Sequence, residues 1–165
     1  MEEIFETYGA AVNYINATPK FTTKNSMEDT ARFWERLGYP AKKSKILHIA
    51  GTNGKGSVCA YLSSVLQKAG ISCGMFTSPH LVSMRERFAI NGDIVSEADF
   101  LDAFRTVMRE VKRLATPYHP TFFELLFFMG MILFEKCGVE YVVLETGLGG
   151  RLDATNVVEE KRLCV

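Results

Sequence analysis

One short segment of the chain combines three glycines, a lysine and a terminal hydroxyl: Gly51–Ser57, with the sequence GTNGKGS. An apolar run at 45–50 precedes it, and a helix-like pattern follows it. Glycines let backbone N–H groups approach phosphate oxygens closely, and a new helix adds its positive N-terminal end. Lys55 can reach the β- and γ-phosphates of a nucleotide, and the Ser57 hydroxyl can bind Mg²⁺. The sequence therefore predicts a triphosphate site in this loop.

The loop departs from the general phosphate-loop pattern at two positions. That pattern has Ser or Thr directly after the lysine and begins with a glycine, whereas here Gly56 follows Lys55 and Ile49 occupies the first position. The alternative interpretation is a glycine-rich turn with a solvated lysine. The order of strand, loop and helix favours the phosphate-binding interpretation.

Composition narrows the class of protein. The 165 residues include 19 Lys and Arg against 19 Asp and Glu, so neither nucleic acid nor a membrane surface is expected as a partner. The four cysteines lack metal-ligand spacing, and three lie in apolar contexts that predict buried thiols in a reducing compartment. The start lacks a signal-peptide pattern, and the most apolar run, 122–134, contains a glutamate and is too short to span a bilayer. We therefore expect a single-domain, cytoplasmic protein.

Alternating helices and strands are predicted to position the glycine loop. Asn91–Gly92 between two apolar runs predicts a β-hairpin. Strands that alternate with helices imply an α/β fold with a parallel, doubly wound sheet, in which ligands bind beyond the carboxyl ends of the strands. Apolar periodicity and cap residues predict helices over 4–15, 26–37, 58–69, 96–114 and 121–136, and strands near 45–50, 71–76 and 141–145.

Two further strand ends are expected at the same edge of the sheet as the loop. Glu145 ends one apolar strand, and a carboxylate there is suited to bind Mg²⁺ directly or through water; a solvent-facing glutamate is the alternative. Ser78 follows another strand and is a second candidate ligand, although the turn before Pro79 explains it equally well. His48 lies inside the first strand, which predicts an interior histidine rather than a catalytic one.

Three segments, GTNGKGS at 51–57, TSPHL at 77–81 and ETGLGGRLDATN at 145–156, carry a resemblance to a known family. Together they resemble the signatures of folylpolyglutamate synthase, which in many bacteria is also dihydrofolate synthase and belongs to the Mur ligase superfamily. The glycine inserted in the phosphate loop is the form that this family uses. The resemblance covers essentially the whole chain and implies the fold of the central ATPase domain of the Mur ligases, here incomplete.

The resemblance implies an ATP-dependent ligase. ATP would phosphorylate the carboxylate of dihydropteroate or of a folate, and the amine of L-glutamate would attack the acyl phosphate. Mg²⁺ is the implied metal ion and K⁺ a further candidate, whereas the number of glutamates on the acceptor stays open. The alternative is a generic phosphate-loop kinase or NTPase, or a nucleotide-binding module without turnover. The run at 149–153 favours the ligase.

The family's functional positions can be carried over by motif. Lys55 and Glu145 would be the catalytic groups. Phenylalanines can stack on a pterin and a carboxylate can accept from its N–H donors, whereas core packing is the alternative for the two phenylalanines. A further contact, at Thr23, Lys24 and Asn25, aligns less well. The resemblance assigns ATP to Gly51, Thr52, Asn53, Gly54, Lys55, Gly56 and Ser57, Mg²⁺ to Ser57, Ser78 and Glu145, and the pterin or folate to Thr121, Phe122, Phe123, Glu124, Leu152, Asp153 and Ala154.

The resemblance also predicts which part of the family's architecture these residues form. Residues 1–165 would be the amino-terminal part of the ATP-binding domain. The family continues past a strand like 162–165 into a histidine metal ligand, a carbamylated lysine, the adenine- and ribose-binding residues and a second domain that helps to bind glutamate. We expect these to be absent, so that the chain alone is inactive and can self-associate through its unfinished sheet.

Overall fold

A mixed sheet with helices on both faces forms the framework of the computed structural model, which describes residues 5–18, 25–115 and 118–165. Thr23 and Lys24, named above as a further contact, and residue 4 of the helix predicted over 4–15 lie outside these residues. The helices are α1 (Tyr8–Ala17), α2 (Met27–Arg36), α3 (Lys55–Lys68), α4 (Glu97–Lys112) and α5 (Phe122–Cys137). The strands are β1 (Lys45–Ile49), β2 (Cys73–Phe76), β3 (Phe88–Ile90), β4 (Asp93–Ile94), β5 (Tyr141–Glu145) and β6 (Lys161–Cys164).

The sheet has six strands in the order β4-β3-β2-β5-β1-β6. β2, β5, β1 and β6 run parallel, and the hairpin of β3 and β4 adds two antiparallel strands at one edge. Val143 lies between Met75 and Leu47 on its neighbouring strands. The central strands β1 and β5 are apolar and buried because helices cover both of their faces. The predicted parallel α/β sheet and the predicted hairpin are both confirmed.

Side-chain caps explain where three of the helices begin. The hydroxyls of Ser26, Ser96 and Thr121 accept hydrogen bonds from the backbone N–H three residues later, at the starts of α2, α4 and α5. These contacts satisfy donors that have no partner inside the helix. Gly138 ends α5 with φ of +62°, a left-handed conformation that favours glycine. Sequence analysis predicted the three helix starts correctly.

The two faces of the sheet carry separate apolar clusters. On one face, α5 packs with α1, α2 and α4 in a large aromatic cluster. On the other face, Cys59 of α3 packs against Leu47, Ile49 and Val143. α5 is buried along most of its length, as its almost continuous apolar sequence predicted. Because helices pack on both faces of the sheet, the carboxyl ends of β1, β2 and β5 are held in fixed relative positions.

Some predictions about elements and cysteines need correction. α3 begins at Lys55, so the last three residues of the glycine loop belong to its first turn. Cys59 and Cys73 are buried, but Cys137 and Cys164 are exposed, so the prediction of three buried thiols is wrong. Their apolar sequence neighbours do not specify which side of an element a residue occupies. Within the described ranges, none of the helices has the length and apolar character needed to cross a bilayer.

Candidate functional site

The glycine loop leads directly from β1 into α3. Gly51 has φ of +141° and Gly54 has φ of +78°, backbone conformations that residues other than glycine rarely adopt. No side chain caps the start of α3, in contrast to the starts of α1, α2, α4 and α5. Residues 51–54 are exposed, so the N–H groups of the loop and of the first helical turn remain available to an anion.

Lys55 and Glu145 face each other across this loop. Lys55 Nζ donates to the carbonyl of Gly51 at 3.0 Å and lies 4.0 Å from Oε1 of Glu145. The Ser78 backbone N–H donates to Oε2 of Glu145 at 2.8 Å. Glu145 is 2% exposed, and this burial raises the pKa of its carboxyl, while the Ser78 N–H, Lys55 and Arg87 oppose the shift. The three predicted strand ends therefore do meet at one edge of the sheet.

The oxygen atoms at this edge suit a hard cation. Glu145 offers a carboxylate, Ser78 is bonded to it through its backbone, and a Cβ on Gly56, next to Ser57, would lie 4.0 Å from Oε2 of Glu145. In the described part of the chain, no three His, Cys, Asp or Glu side chains cluster tightly enough to hold a metal ion. Mg²⁺ commonly takes one or two protein ligands and completes its shell with phosphates and water. The residues present fit that ion.

A single cleft of about 550 Å³ extends from the glycine loop to the start of α5. It brings the predicted phosphate-binding and metal-binding groups Lys55 and Ser78 together with the predicted pterin contacts at 121–124 and 152–154 and with Asn25, whereas Ser57 and Glu145 do not line it. Its lining residues are Asn25, Met27, Thr30, Lys55, Ser78, Pro79, Arg87, Thr121, Phe122, Phe123, Glu124, Gly147, Leu148, Leu152, Asp153 and Ala154.

The two phenylalanines form one wall of the cleft and also belong to the core. Phe122 is buried, and Phe123 is partly buried against the large aromatic cluster. The ring of Phe123 covers Gly147, where a Cβ would lie 2.6 Å from a ring carbon. The ring edge of Phe123 also meets Phe76 of β2, with 5.8 Å between the centroids. The core-packing alternative is therefore confirmed for both rings, and both rings also line the cleft.

Glu124 is held by three donors of the chain. Thr30 Oγ1 donates to its Oε1 at 2.6 Å, while Asn25 Nδ2 and the Thr121 N–H each donate to its Oε2 at 2.7 Å. Asn25 Nδ2 also donates to the carbonyl of His119 at 3.0 Å. The carboxylate closes the capping box of α5 and joins α2 to this helix. Glu124 therefore lines the cleft and also stabilises the packing of α2 against α5.

Asp153 is held by four donors and is only 4% exposed. The N–H groups of Gly147 and Leu148 donate to its Oδ2 at 2.8 and 3.0 Å. The N–H and hydroxyl of Thr155 donate to its Oδ1 at 3.0 and 2.6 Å. This carboxylate therefore organises the loop that follows β5.

His48 extends this network into the sheet. Because the Thr155 hydroxyl gives its proton to Asp153, Nε2 of His48 donates to Thr155 Oγ1, at 2.7 Å. Burial, reinforced by the charge of Lys161, lowers the pKa of His48 to about 4, against an opposing effect of Asp153. His48 is thus a neutral interior histidine with a partner, as its position in an apolar strand predicted.

Comparison with known proteins agrees with this geometry. The chain is 40% identical over 159 residues to the dihydrofolate synthase/folylpolyglutamate synthase of Bacillus subtilis, a match that covers 94% of the chain and 37% of that relative. The chain belongs to the folylpolyglutamate and dihydrofolate synthase family. It therefore spans little more than a third of the length of that relative. No family model matches the chain.

Solved structures of this family have the same fold. The bifunctional enzyme of Yersinia pestis, complexed with AMPPNP and a Mn ion, superposes with a TM-score of 0.86 at 32% identity and covers 98% of this chain and 38% of that one. E. coli FolC in complex with DHPP and ADP gives a TM-score of 0.83 at 32% identity, over 93% of this chain and 36% of that one. The fold predicted from the family resemblance is confirmed.

Sequence analysis identified most of the residues that line the cleft and missed several others. Asn25, predicted with less support than the others, lines the cleft and is bonded to Glu124. Leu152 lies at the exposed mouth of the cleft. Met27, Thr30 and Arg87 were not predicted to line the cleft, and Pro79, Gly147 and Leu148 were named only within motifs. A cap signal marks the start of α2 near Thr30, but no local pattern distinguishes Arg87 from a surface arginine.

Proposed function

We propose that this chain provides the ATP-binding and folate-binding part of a ligase that adds L-glutamate to a folate or to dihydropteroate. The observation that carries the proposal is the single cleft between Lys55 and the two phenylalanines. A phosphate donor and a pterin-linked carboxylate could meet there. The names and ligands of the relatives support the same combination. An NTPase with no second substrate would leave the aromatic half of the cleft without a role.

In the proposed reaction, the γ-phosphoryl group passes to the substrate carboxylate, forming an acyl phosphate and releasing ADP. The glutamate nitrogen then forms a bond to the acyl carbon, the carbon–oxygen bond to phosphate breaks, and the amine releases a proton. Residues 51–57 would hold the nucleotide phosphates, with Lys55 reaching the β and γ groups. Glu145, Ser57 and Ser78 would hold Mg²⁺, which neutralises phosphate charge when bound.

On the other side of the cleft, the pterin would contact Thr121, Phe122, Phe123, Glu124, Leu152, Asp153 and Ala154, with Asn25 beside them. Phe123 offers a partly exposed ring for stacking. The carboxylates of Glu124 and Asp153 accept bonds from the chain, so any contact with the pterin would share oxygens already in use. These assignments, the place of residues 1–165 in the ATP-binding domain and the cytoplasmic location remain predictions.

The test is calorimetric titration of the purified chain with two ligands, the ATP analogue AMPPNP with Mg²⁺ and dihydropteroate. We expect both to bind, and we expect Phe123→Leu to weaken dihydropteroate binding about tenfold because the aromatic face is lost. AMPPNP binding to the same variant is the matched control and should not change. Binding of AMPPNP without any binding of dihydropteroate would support a nucleotide-binding module instead.

A further inference from the structure

Arg87 is one of the residues that line the cleft. It ends the short 3₁₀ turn Met84–Arg87, and its carbonyl accepts a hydrogen bond from the Thr77 N–H at 3.1 Å. This bond places it beside the carboxyl end of β2, one residue from the candidate metal ligand Ser78. The Arg87 side chain lines the cleft but is only 6% exposed, so its charge is largely removed from solvent.

The contacts of Arg87 orient its guanidinium without neutralising it. Nε donates to Nδ1 of His80 at 2.8 Å, and the guanidinium carbon lies 5.6 Å from the ring centroid of Phe122. Among the described residues, no carboxylate forms an ion pair with Arg87. Glu145 acts on it only at longer range, where it opposes the lowering of the Arg87 pKa by burial.

A buried cation without a paired anion is costly, and a guanidinium stays charged in proteins. The bond to His80 uses one of its five N–H donors, which leaves most of its bonding capacity for another acceptor. Its planar fork matches a carboxylate with two parallel hydrogen bonds. The cleft therefore carries, at Arg87, a site whose chemistry is complementary to a carboxylate.

The position of Arg87 distinguishes it from the other cation of the cleft. Among the described lining residues, Lys55 and Arg87 are the cations. Lys55 is attached to the glycine loop through its bond to Gly51 and faces the place of the phosphates. Arg87 instead lies beside Phe122, and its backbone is bonded to Thr77, the residue before Ser78. We therefore expect the acid end of a pterin-linked substrate to reach Arg87 when the pterin ring lies at α5.

We propose that Arg87 binds the reacting carboxylate of the pteroate or folate substrate and holds it beside the terminal phosphate of the nucleotide. This inference rests on the proposed function and adds the group that selects an acid over a neutral pterin. Arg87 is then a substrate-binding residue that sequence patterns did not reveal.

The experiment compares pteroate with its carboxamide, titrated into the wild-type chain and into Arg87→Met. The wild type should prefer the acid by about 30-fold, because charge-assisted hydrogen bonds form only with the carboxylate. Arg87→Met should abolish this preference and leave binding of the carboxamide within about twofold. Arg85→Met is the matched control, since Arg85 lies in the same turn, donates to the carbonyl of Val95 and does not line the cleft.

The outcomes separate this inference from the proposed function. A preference for the acid that survives in Arg87→Met overturns the inference, as does a loss confined to AMPPNP binding, which would assign Arg87 to the nucleotide. If neither pterin binds the wild type, the proposed function fails and the inference fails with it. Should Arg87→Met not fold, Arg87→Lys carries the test: it keeps the charge but not the fork, so its preference should fall to about threefold. A full wild-type preference in that variant would overturn the inference.

Discussion

The two sides of the cleft use their polar groups in opposite ways. On the phosphate side, the N-terminus of α3 has no side-chain cap and the glycine loop is exposed. On the aromatic side, Glu124 accepts three hydrogen bonds and Asp153 accepts four, all from the chain itself. The first side thus keeps its polar groups available for a ligand, whereas the second uses them to hold its own walls.

The difference teaches that residue type and position do not determine what a carboxylate does. Glu145, Glu124 and Asp153 are all buried carboxylates. Glu124 and Asp153 line the cleft, and Glu145 contacts its lining residues Ser78 and Lys55. Glu145 accepts one backbone hydrogen bond and its pKa is raised by burial, so its charge is poorly compensated within the chain. The charges of the other two are distributed over several donors. We therefore expect substitutions on the two sides to affect different measurements.

The largest effect, on nucleotide affinity, is expected for Lys55→Ala. It should weaken binding of AMPPNP with Mg²⁺ about a thousandfold, or about 4 kcal/mol, because charge-assisted bonds to phosphate are lost. The free energy of unfolding should change by less than about 1 kcal/mol, since Lys55 bonds only the exposed Gly51 carbonyl and lies at the limit of an ion pair with Glu145. Calorimetry and urea unfolding measure the two quantities, with the exposed Lys43→Ala as control. Equal losses in both would make Lys55 a structural residue and remove the contrast.

Asp153→Asn should show the reverse pattern. The amide directs a donor at the N–H groups of the 147–148 loop or at Thr155, so we expect the free energy of unfolding to fall by about 3 kcal/mol. Dihydropteroate binding should weaken as well because this loop borders the cleft, while nucleotide affinity should remain close to that of the wild type. Urea unfolding followed by Trp34 fluorescence measures the stability. The exposed Asp102→Asn should cost far less, and an equal cost would show that the network around Asp153 contributes little.

Lowering the pH is expected to reduce the free energy of unfolding by a somewhat smaller amount. The pKa of His48 lies at about 4 in the folded chain, below its ordinary value of 6.5. The unfolded chain therefore binds this proton first, so the stability contributed by neutral His48 is complete above 6.5 and is lost as the pH falls towards 4. We expect a loss of roughly 2 kcal/mol across this window, measured by urea unfolding at a series of pH values. His48→Gln should flatten the curve, and parallel curves for the two proteins would contradict the assignment.

The smallest effect on stability is expected at Glu145. Burial raises the pKa of this carboxyl, so its ionised form is unfavourable in the folded chain at neutral pH, and a neutral amide should be tolerated. Glu145→Gln should change the free energy of unfolding by less than about 1 kcal/mol, because the amide oxygen can still accept from Ser78. It should, however, abolish the Mg²⁺ dependence of AMPPNP binding. A large loss of stability would place Glu145 with Asp153 rather than with Lys55.

Local signals in the sequence were sufficient for most of the fold. The cap pairs at Ser26, Ser96 and Thr121 identify helix starts because the partner lies only three residues away. The hairpin at Asn91–Gly92 follows from turn chemistry that is equally local. The strand that ends at Glu145 follows from its apolar run. Each of these depends on neighbours in the chain, which a single sequence displays.

The site was predictable only where a motif encodes it. The donors to Glu124 include Asn25 and Thr30, more than ninety residues away in sequence. Only the fold brings them together. Arg87 was missed for the same reason. Its side chain contacts Phe122 of α5 and His80, and the Phe122 contact depends on the fold rather than on neighbours in the chain. Which carboxylates remain free for a ligand is therefore a property of the assembled cleft.

The contact between Gly147 and the Phe123 ring has a consequence for sequence variation across this family. A Cβ at residue 147 would lie 2.6 Å from the ring, so a residue larger than glycine at 147 requires the Phe123 ring to move or a smaller side chain at 123. Among relatives, a residue larger than glycine at 147 should occur only where 123 is smaller than phenylalanine. The two positions should therefore covary, although they belong to different motifs. Such covariation would show that the two residues form one wall of the cleft and evolve together.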